Sequence, residues 1–192
     1  MNLPERAQGR AFSDHELPAL TVGLTVRRSP IQGQGVFTRD AISPHAVILH
    51  LDDSRVIDLA HPLRPEDGES ELHRDFLPDG TVILMQSPER YINHCCEPNC
   101  YIYSANRDRF LLSRRAISPE EELLVDYSLN AVDGDVWECR CGAVTCRGRH
   151  KCDFFALPAA VQRGNLPYLD PWFSATHALA IQKLLMDSCV TC

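Results

Sequence analysis

Three thiols, Cys139, Cys141 and Cys146, fall within eight residues of this sequence, and Gly142 between them lets the chain wrap tightly. Clustered thiolates hold zinc in tetrahedral sites, and a closed structural site takes four ligands. The stretch supplies three, so a fourth comes from elsewhere, with Cys96, Cys100, His150 and Cys152 as candidates. A second constellation is Arg90-Tyr91-Ile92-Asn93-His94-Cys95-Cys96-Glu97-Pro98-Asn99-Cys100. Its Asn93 and His94 offer donors and acceptors suited to a polar ligand, although such a loop can also cap its own backbone. A third is Gln32-Gly33-Gln34-Gly35-Val36-Phe37, where glycines allow close approach to a ligand or a tight turn. It lacks the third glycine and following helix of a dinucleotide site. Tyr127, at the end of an apolar run, reads by itself as a core residue. The terminal Cys189-Val190-Thr191-Cys192 has redox spacing without a thioredoxin-like context.

The elements that must position these groups are mostly short strands. Runs of β-branched and apolar residues broken by turn residues occur at Leu24/Val26, Val36–Phe37, Val47–Leu51, Thr81–Leu84, Tyr101–Tyr103, Phe110–Leu112 and Leu123–Val125. The fold class is therefore mainly β. Residues 1–19 read as a flexible leader. Residues 52–80 read as an acidic, loop-rich insert punctuated by Pro62, Pro65, Gly68, Pro78 and Gly80. The hexapeptide Arg39-Asp40-Ala41-Ile42-Ser43-Pro44 recurs closely as Arg114-Arg115-Ala116-Ile117-Ser118-Pro119, and the Ser-Pro step predicts a chain reversal at each copy. Past residue 152 the composition turns helical. Asp170 is a candidate N-cap with Pro171 at the first helical position. Trp172, Ala175, Leu179 and Met186 share one helical stripe, expected to be core contact.

The chain has 192 residues, 44% of them hydrophobic and 23% charged, which suits a globular domain with a core of its own. No run is long and apolar enough for a membrane span, and the polar start lacks a signal-peptide core, so an intracellular protein is expected. Nine cysteines without a secretory signal point to metal rather than to a disulfide framework. Net charge is −7 with a pI near 5.6. That argues against direct nucleic-acid binding, which needs a basic face, and favours a basic protein or peptide partner.

Taken in order, Gly-x-Gly-Val-Phe, Arg-Tyr-Ile-Asn-His-x-Cys-x-Pro-Asn, Asp-Tyr and Cys-x-Cys-x4-Cys-Arg-Gly resemble a SET domain followed by a post-SET segment. The match spans about residues 22–150, with the tail after 152 resembling that of small stand-alone SET proteins. The resemblance implies a β-clip-like fold of short curved sheets with a pseudoknot. It implies a SET domain over 20–130, a post-SET zinc segment over 131–152 and a helical extension over 153–192. It also implies protein-lysine N-methylation from S-adenosylmethionine, on a basic tail such as a histone's. Gly33, Gln34 and Gly35 would form the loop around the methionine part of the cofactor. Arg90 and Tyr91 would line its pocket, and Asn93 and His94 would hydrogen-bond it. Tyr127 would be the catalytic tyrosine at the lysine channel, and Trp137 would pack over the cofactor or the channel. Cys96 would complete the zinc site with Cys139, Cys141 and Cys146. The acidic insert would form one wall of the peptide groove.

Two positions depart from the family pattern. Cys95 stands where many members have serine, and Val125 stands where phenylalanine or tyrosine is common. The valine leaves more room, so multiple methylation is expected. The competing readings are a catalytically silent SET module serving as a zinc-containing interaction platform, a zinc-dependent nucleic-acid binder and a thiol redox protein. Oligomeric state is not legible.

Overall fold

The computed structural model describes residues 23–186. The expected leader and the Cys189/Cys192 pair lie outside the described residues. The first strands in chain order are β1 (Leu24–Arg28), β2 (Gln34–Thr38), β3 (Val47–His50), β4 (Arg74–Phe76), β5 (Val82–Leu84) and β6 (Asn93–His94). They are followed by β7 (Cys100–Ala105), β8 (Asp108–Ser113), β9 (Leu124–Val125), β10 (Val136–Glu138) and β11 (Arg149–Lys151). Three helices close the described chain: α1 (Ala159–Asn165), α2 (Pro171–Thr176) and α3 (Ala178–Met186). No helix among the described residues is long and apolar enough to cross a membrane.

Strands pair in small sheets: β1–β2, β3–β8–β7, β4–β5, β10–β11 and the parallel pair β6–β9. This mainly β architecture is the one the sequence implies, and every strand expected from the apolar runs is present. The β7–β8 hairpin turns on two residues, Asn106 and Arg107, at φ 52° and 76°. Such left-handed pairs match the right-handed twist of the flanking strands. The principal core gathers Val36, Ile42, Ile48, Ile92, Leu111, Ile117, Leu123 and Val125 from most of these sheets.

The repeated hexapeptides meet one another. Ile42 N–H donates to the Ile117 carbonyl at 2.9 Å, and Ile117 N–H returns the bond at 3.0 Å. Each Ser-Pro step makes the expected reversal. Ala46 N–H donates to Ser43 O and Glu121 N–H to Ser118 O, with His45 and Glu120 at φ 61° and 65°. Proline at the second position and a positive φ at the third define a type II turn.

The insert is tied to the sheet by Arg109 of β8. Its guanidinium takes Asp53 through two hydrogen bonds, at 2.9 and 2.6 Å, and Asp75 at 2.6 Å. Glu69 is held by Arg55 and Arg64. Much of the acidity that the sequence offers to a basic partner is thus neutralised within the protein.

The C-terminal region builds a second core from Leu129, Phe154, Leu157, Leu169 and Phe173. Asp170 caps α2 as expected, its carboxylate accepting from Trp172 N–H at 3.0 Å, with Pro171 first in the helix. The expected stripe of Trp172, Ala175, Leu179 and Met186 is not the buried face. Leu179 is 84% exposed and Met186 56%, whereas Phe173 is 1% exposed. The helix breaks at His177, between α2 and α3, and a single helical phase cannot run across the break.

Candidate active site and metal centre

The glycine loop is built by its surroundings. Ser29 Oγ accepts from Ile31 N–H at 2.9 Å, and Ser29 N–H donates to the Gly33 carbonyl at 3.0 Å. Gly33 sits at φ +53°, a left-handed conformation costing an ordinary residue about 1–2 kcal/mol. Gly35 is required for a different reason: a Cβ there would collide with the carboxylate of Glu122. That carboxylate accepts from Ser29 Oγ at 3.0 Å and from Asn93 Nδ2 at 2.9 Å.

Asn93 reaches the loop because β6 runs parallel to β9, with Asn93 opposite Leu124 and His94 opposite Val125. Its Nδ2 also points at the carbonyls of Gln32 (3.2 Å) and Gln34 (2.8 Å). The side-chain amide donor thus staples the loop. Arg90 and Tyr91 lie in the single turn Glu89–Tyr91, beside β2. The Arg90 guanidinium stacks over the Tyr91 ring at 4.9 Å, and its Nε is buried without a partner. Tyr91 meets His73 of the insert edge to face at 6.1 Å.

His94 and Tyr127 come together. Tyr127 N–H donates to His94 Nδ1 at 3.1 Å, and the rings are 5.3 Å apart. The Tyr127 hydroxyl donates to the Ile92 carbonyl at 2.7 Å. The residue is 40% exposed, and desolvation of the phenol pushes it up to about 12. Trp137 of β10 stands 5.6 Å from the His94 ring, 5.9 Å from Tyr127 and 4.4 Å from His150. Burial pulls His94 down to about 4 against the opposing pull of Asp126, so it is a neutral imidazole at pH 7.

Beneath these rings lies a polar latch. Arg147 holds Asp126 through both terminal nitrogens, at 2.9 and 2.8 Å, with the Asp126 side chain fully buried. Arg147 also donates to His150 Nδ1, whose Nε2 meets Ser128 Oγ at 2.9 Å. Sequence reasoning assigned no role to Asp126, Arg147, Ser128 or Glu122, and weighed His150 only as a possible fourth metal ligand. The only signal for Asp126 and Arg147 was their place inside motifs quoted for other residues.

The four expected metal ligands do converge. The sulfurs of Cys96, Cys139, Cys141 and Cys146 lie within 4.8 Å of one another. Cys96 and Cys139 are 3.8 Å apart, too far for a disulfide and close to the roughly 3.8 Å sulfur–sulfur spacing that follows from zinc–thiolate bonds of about 2.3 Å. Backbone N–H groups of Arg147 and Cys96 point at the sulfurs of Cys96 and Cys141, at 3.4 and 3.5 Å. Burial pushes the Cys141 thiol up, but the backbone N–H groups of Cys96 and Ala143 outweigh it, and the net shift is down to about 6. Burial pushes the neighbouring Cys96 and Cys139 thiols up, so the first negative charge in the cluster falls on Cys141. The other fourth-ligand candidates lie elsewhere or are engaged. Cys100 is in the core, and Cys152 donates to the Tyr127 carbonyl. His150 serves the latch, although its ring also approaches His94 and Cys96 closely enough to share an ion with them.

The sequence profile described as the SET domain matches residues 33–128, half of the chain. The chain is 30% identical to the histone-lysine N-methyltransferase set-2 of Caenorhabditis elegans, over 63% of this chain and 9% of that protein. It is 31% identical to the H3 lysine-4-specific histone-lysine N-methyltransferase of Saccharomyces cerevisiae, over 63% of this chain and 12% of that one. The chain therefore spans only a small part of the curated relatives it matches. Among solved structures it is similar to KRYPTONITE in complex with mCHH DNA, H3(1-15) peptide and SAH. That match has a TM-score of 0.50 and 26% identity, over 68% of this chain and 30% of that one. It also shares its fold with Arabidopsis thaliana SUVH6 in complex with SAM, with a TM-score of 0.52 and 20% identity, over 68% of this chain and 33% of that one.

Proposed function

The chain belongs to the SET-domain family, and from that premise we propose that it transfers a methyl group from S-adenosylmethionine to the side-chain amine of a protein lysine. The single observation that carries the reading is the Tyr127 hydroxyl, held 2.7 Å from the Ile92 carbonyl beside the His94 ring. A phenol has one proton and two lone pairs. With its proton committed to Ile92, Tyr127 presents an acceptor, which takes an N–H of the incoming amine and turns the nitrogen lone pair toward the methyl group.

S-adenosylmethionine supplies an electrophilic methyl, and the displacement needs nitrogen, carbon and sulfur in line. The protein's contribution is alignment. The Gly33–Gly35 loop, stapled by Asn93, holds the methionine part, with Gln34, Arg90, Tyr91 and His94 completing the pocket. The amine must be neutral, and an enclosed channel lowers its pKa by desolvation. Trp137 supplies apolar enclosure. Cys96, Cys139, Cys141 and Cys146 would hold a zinc ion, which would fold the loop behind Trp137 and take no part in the chemistry.

The substrate class we infer is a basic protein tail, of which a histone H3 tail is the leading case. KRYPTONITE is complexed with an H3(1-15) peptide, and several relatives are named for histone lysine methylation. The test is label transfer from methyl-labelled S-adenosylmethionine, with histones and a cell extract as parallel acceptors, for wild type and Tyr127→Phe. Label on lysine that falls at least about a hundredfold in the variant, the scale of a lost positioning contact, supports the reading. No label on any acceptor from folded, zinc-loaded protein moves the assignment to a silent interaction module.

A further inference from the structure

A groove of about 510 Å³ lies away from the Tyr127 site, between the SET core and the C-terminal extension. Cys96, Glu97 and Pro98 form one side, Arg114 and Arg115 the floor, and Val161, Gly164, Asn165 and Tyr168 the other side. Its volume falls in the range of small-molecule sites. Neither the glycine loop nor Tyr127 lines it.

One cation in this groove is half-buried without an ion-pair partner among the described residues. The Arg114 guanidinium lies flat on the Tyr168 ring at 3.8 Å. Burial lowers its pKa, with Tyr168 opposing, and no carboxylate pairs with it among the described residues. Its neighbour Arg115 has Glu121 at 2.6 Å, so the local acid is already used. A partly buried cation without a counterion is costly, and an anion that reaches it gains most where water is thinnest. Asn165 is only 8% exposed. Its Nδ2 donates to the Val161 carbonyl at 2.8 Å, and its Oδ1, without a partner among the described residues, is closed off from solvent. The groove therefore offers a cation on an aromatic platform.

We propose that this groove binds a small organic oxyanion, a carboxylate or a phosphate ester. The anion pairs with Arg114, and the body packs on Tyr168 and Val161. The site stands on these residues alone and does not depend on the methyl-transfer reading.

Gly164 provides a blocking variant that spares the charges. A Cβ at this position meets nothing within 4 Å, so a side chain can start here, and Gly164→Trp adds bulk at the groove's edge. The experiment titrates full-length, zinc-loaded protein with inorganic phosphate, glycerol phosphate and N-acetylglycine, following amide chemical shifts, with sodium chloride at matched ionic strength as the reference. Saturable shifts at Arg114, Asn165 and Tyr168 are expected with at least one probe. Binding should weaken about tenfold or more in Arg114→Gln, the scale of a lost charge-assisted hydrogen bond, and in Gly164→Trp. Preference for glycerol phosphate identifies a phosphate ester, and preference for N-acetylglycine a carboxylate. Shifts no greater than those with chloride, or equal affinity in folded Gly164→Trp, overturn the proposal.

Discussion

Arg147 closes on Asp126 with two hydrogen bonds, at 2.9 and 2.8 Å, one residue before Tyr127. The arginine follows the last cysteine of the metal cluster, and the aspartate side chain is fully buried. The cysteine loop is thereby fastened to the segment that presents Tyr127. Removing one partner of a buried ion pair leaves the other charge unpaired and costs about 3–5 kcal/mol. Asp126→Asn should lower stability on that scale in denaturant titration. Label transfer should fall further than the unfolded fraction explains, because the loop loses its anchor beside the tyrosine. A variant of near wild-type stability and activity would show that the latch holds nothing in place.

The two glycines of the Gly33–Gly35 loop should answer differently to one methyl group. Gly33→Ala places a Cβ in open space but keeps φ at +53°, so it should cost about 1–2 kcal/mol of stability and little cofactor affinity. Gly35→Ala drives a Cβ into the Glu122 carboxylate, which links Ser29 and Asn93. Titration with S-adenosylmethionine should show the larger loss of affinity for Gly35→Ala, about tenfold or more if a charge-assisted bond breaks. The reverse ranking would remove Glu122 from the loop's support.

How far these relationships were legible depends on their range in the chain. Seven strands were readable because their apolar runs are local, and so was the Asp170-Pro171 helix start, whereas the short β4, β6, β10 and β11 carry no such run. Three cysteines of the proposed metal site followed from spacing within one loop, whereas the fourth, Cys96, needed the family resemblance to single it out. The stapling of the glycine loop by Asn93 depends on the parallel β6–β9 pairing, and the Arg147–Asp126 pair joins the cysteine loop to the end of β9 across 21 residues of sequence. The stripe through Trp172 and Leu179 failed because the periodicity assumed a continuous helix, and the break at His177 turns Leu179 outward.

Metal removal supplies an independent measure. One zinc per chain is expected, and Cys96→Ser or Cys139→Ser should lose it, whereas Cys100→Ser, in the apolar core, should keep it. Chelation should release the loop that carries Trp137, changing indole emission in wild type but not in Trp137→Phe. Full zinc retention by Cys96→Ser would transfer the fourth ligand to another residue.

Tyr127 sets a limit on pH dependence. Its hydroxyl is raised from 10.0 to about 12 by burial. The folded state therefore holds the proton more tightly than the unfolded state. The stability this group contributes is fully present below pH 10 and is lost as pH rises toward 12. Between pH 7 and about 9.5 the phenol stays neutral, and methyl transfer should rise with the neutral fraction of the substrate lysine. A decline in rate within that interval, present in wild type and absent from the residual activity of Tyr127→Phe, would show that the hydroxyl titrates early.

Product number should depend on Val125. This residue is 8% exposed, opposite His94 in the parallel pair and packed with Ile92, the residue whose carbonyl receives the Tyr127 proton. We expect a valine here, which donates no hydrogen bond, to let a methylated amine rotate and return its lone pair to the transfer line. Val125→Phe adds bulk to a packed core at a cost of about 1–3 kcal/mol and narrows the space beside Tyr127. Mass spectrometry of the product should show di- and trimethyl-lysine from wild type and a shift toward monomethyl-lysine from the variant. Monomethyl-lysine alone from wild type at high enzyme and long reaction times would place the control of product number in another residue.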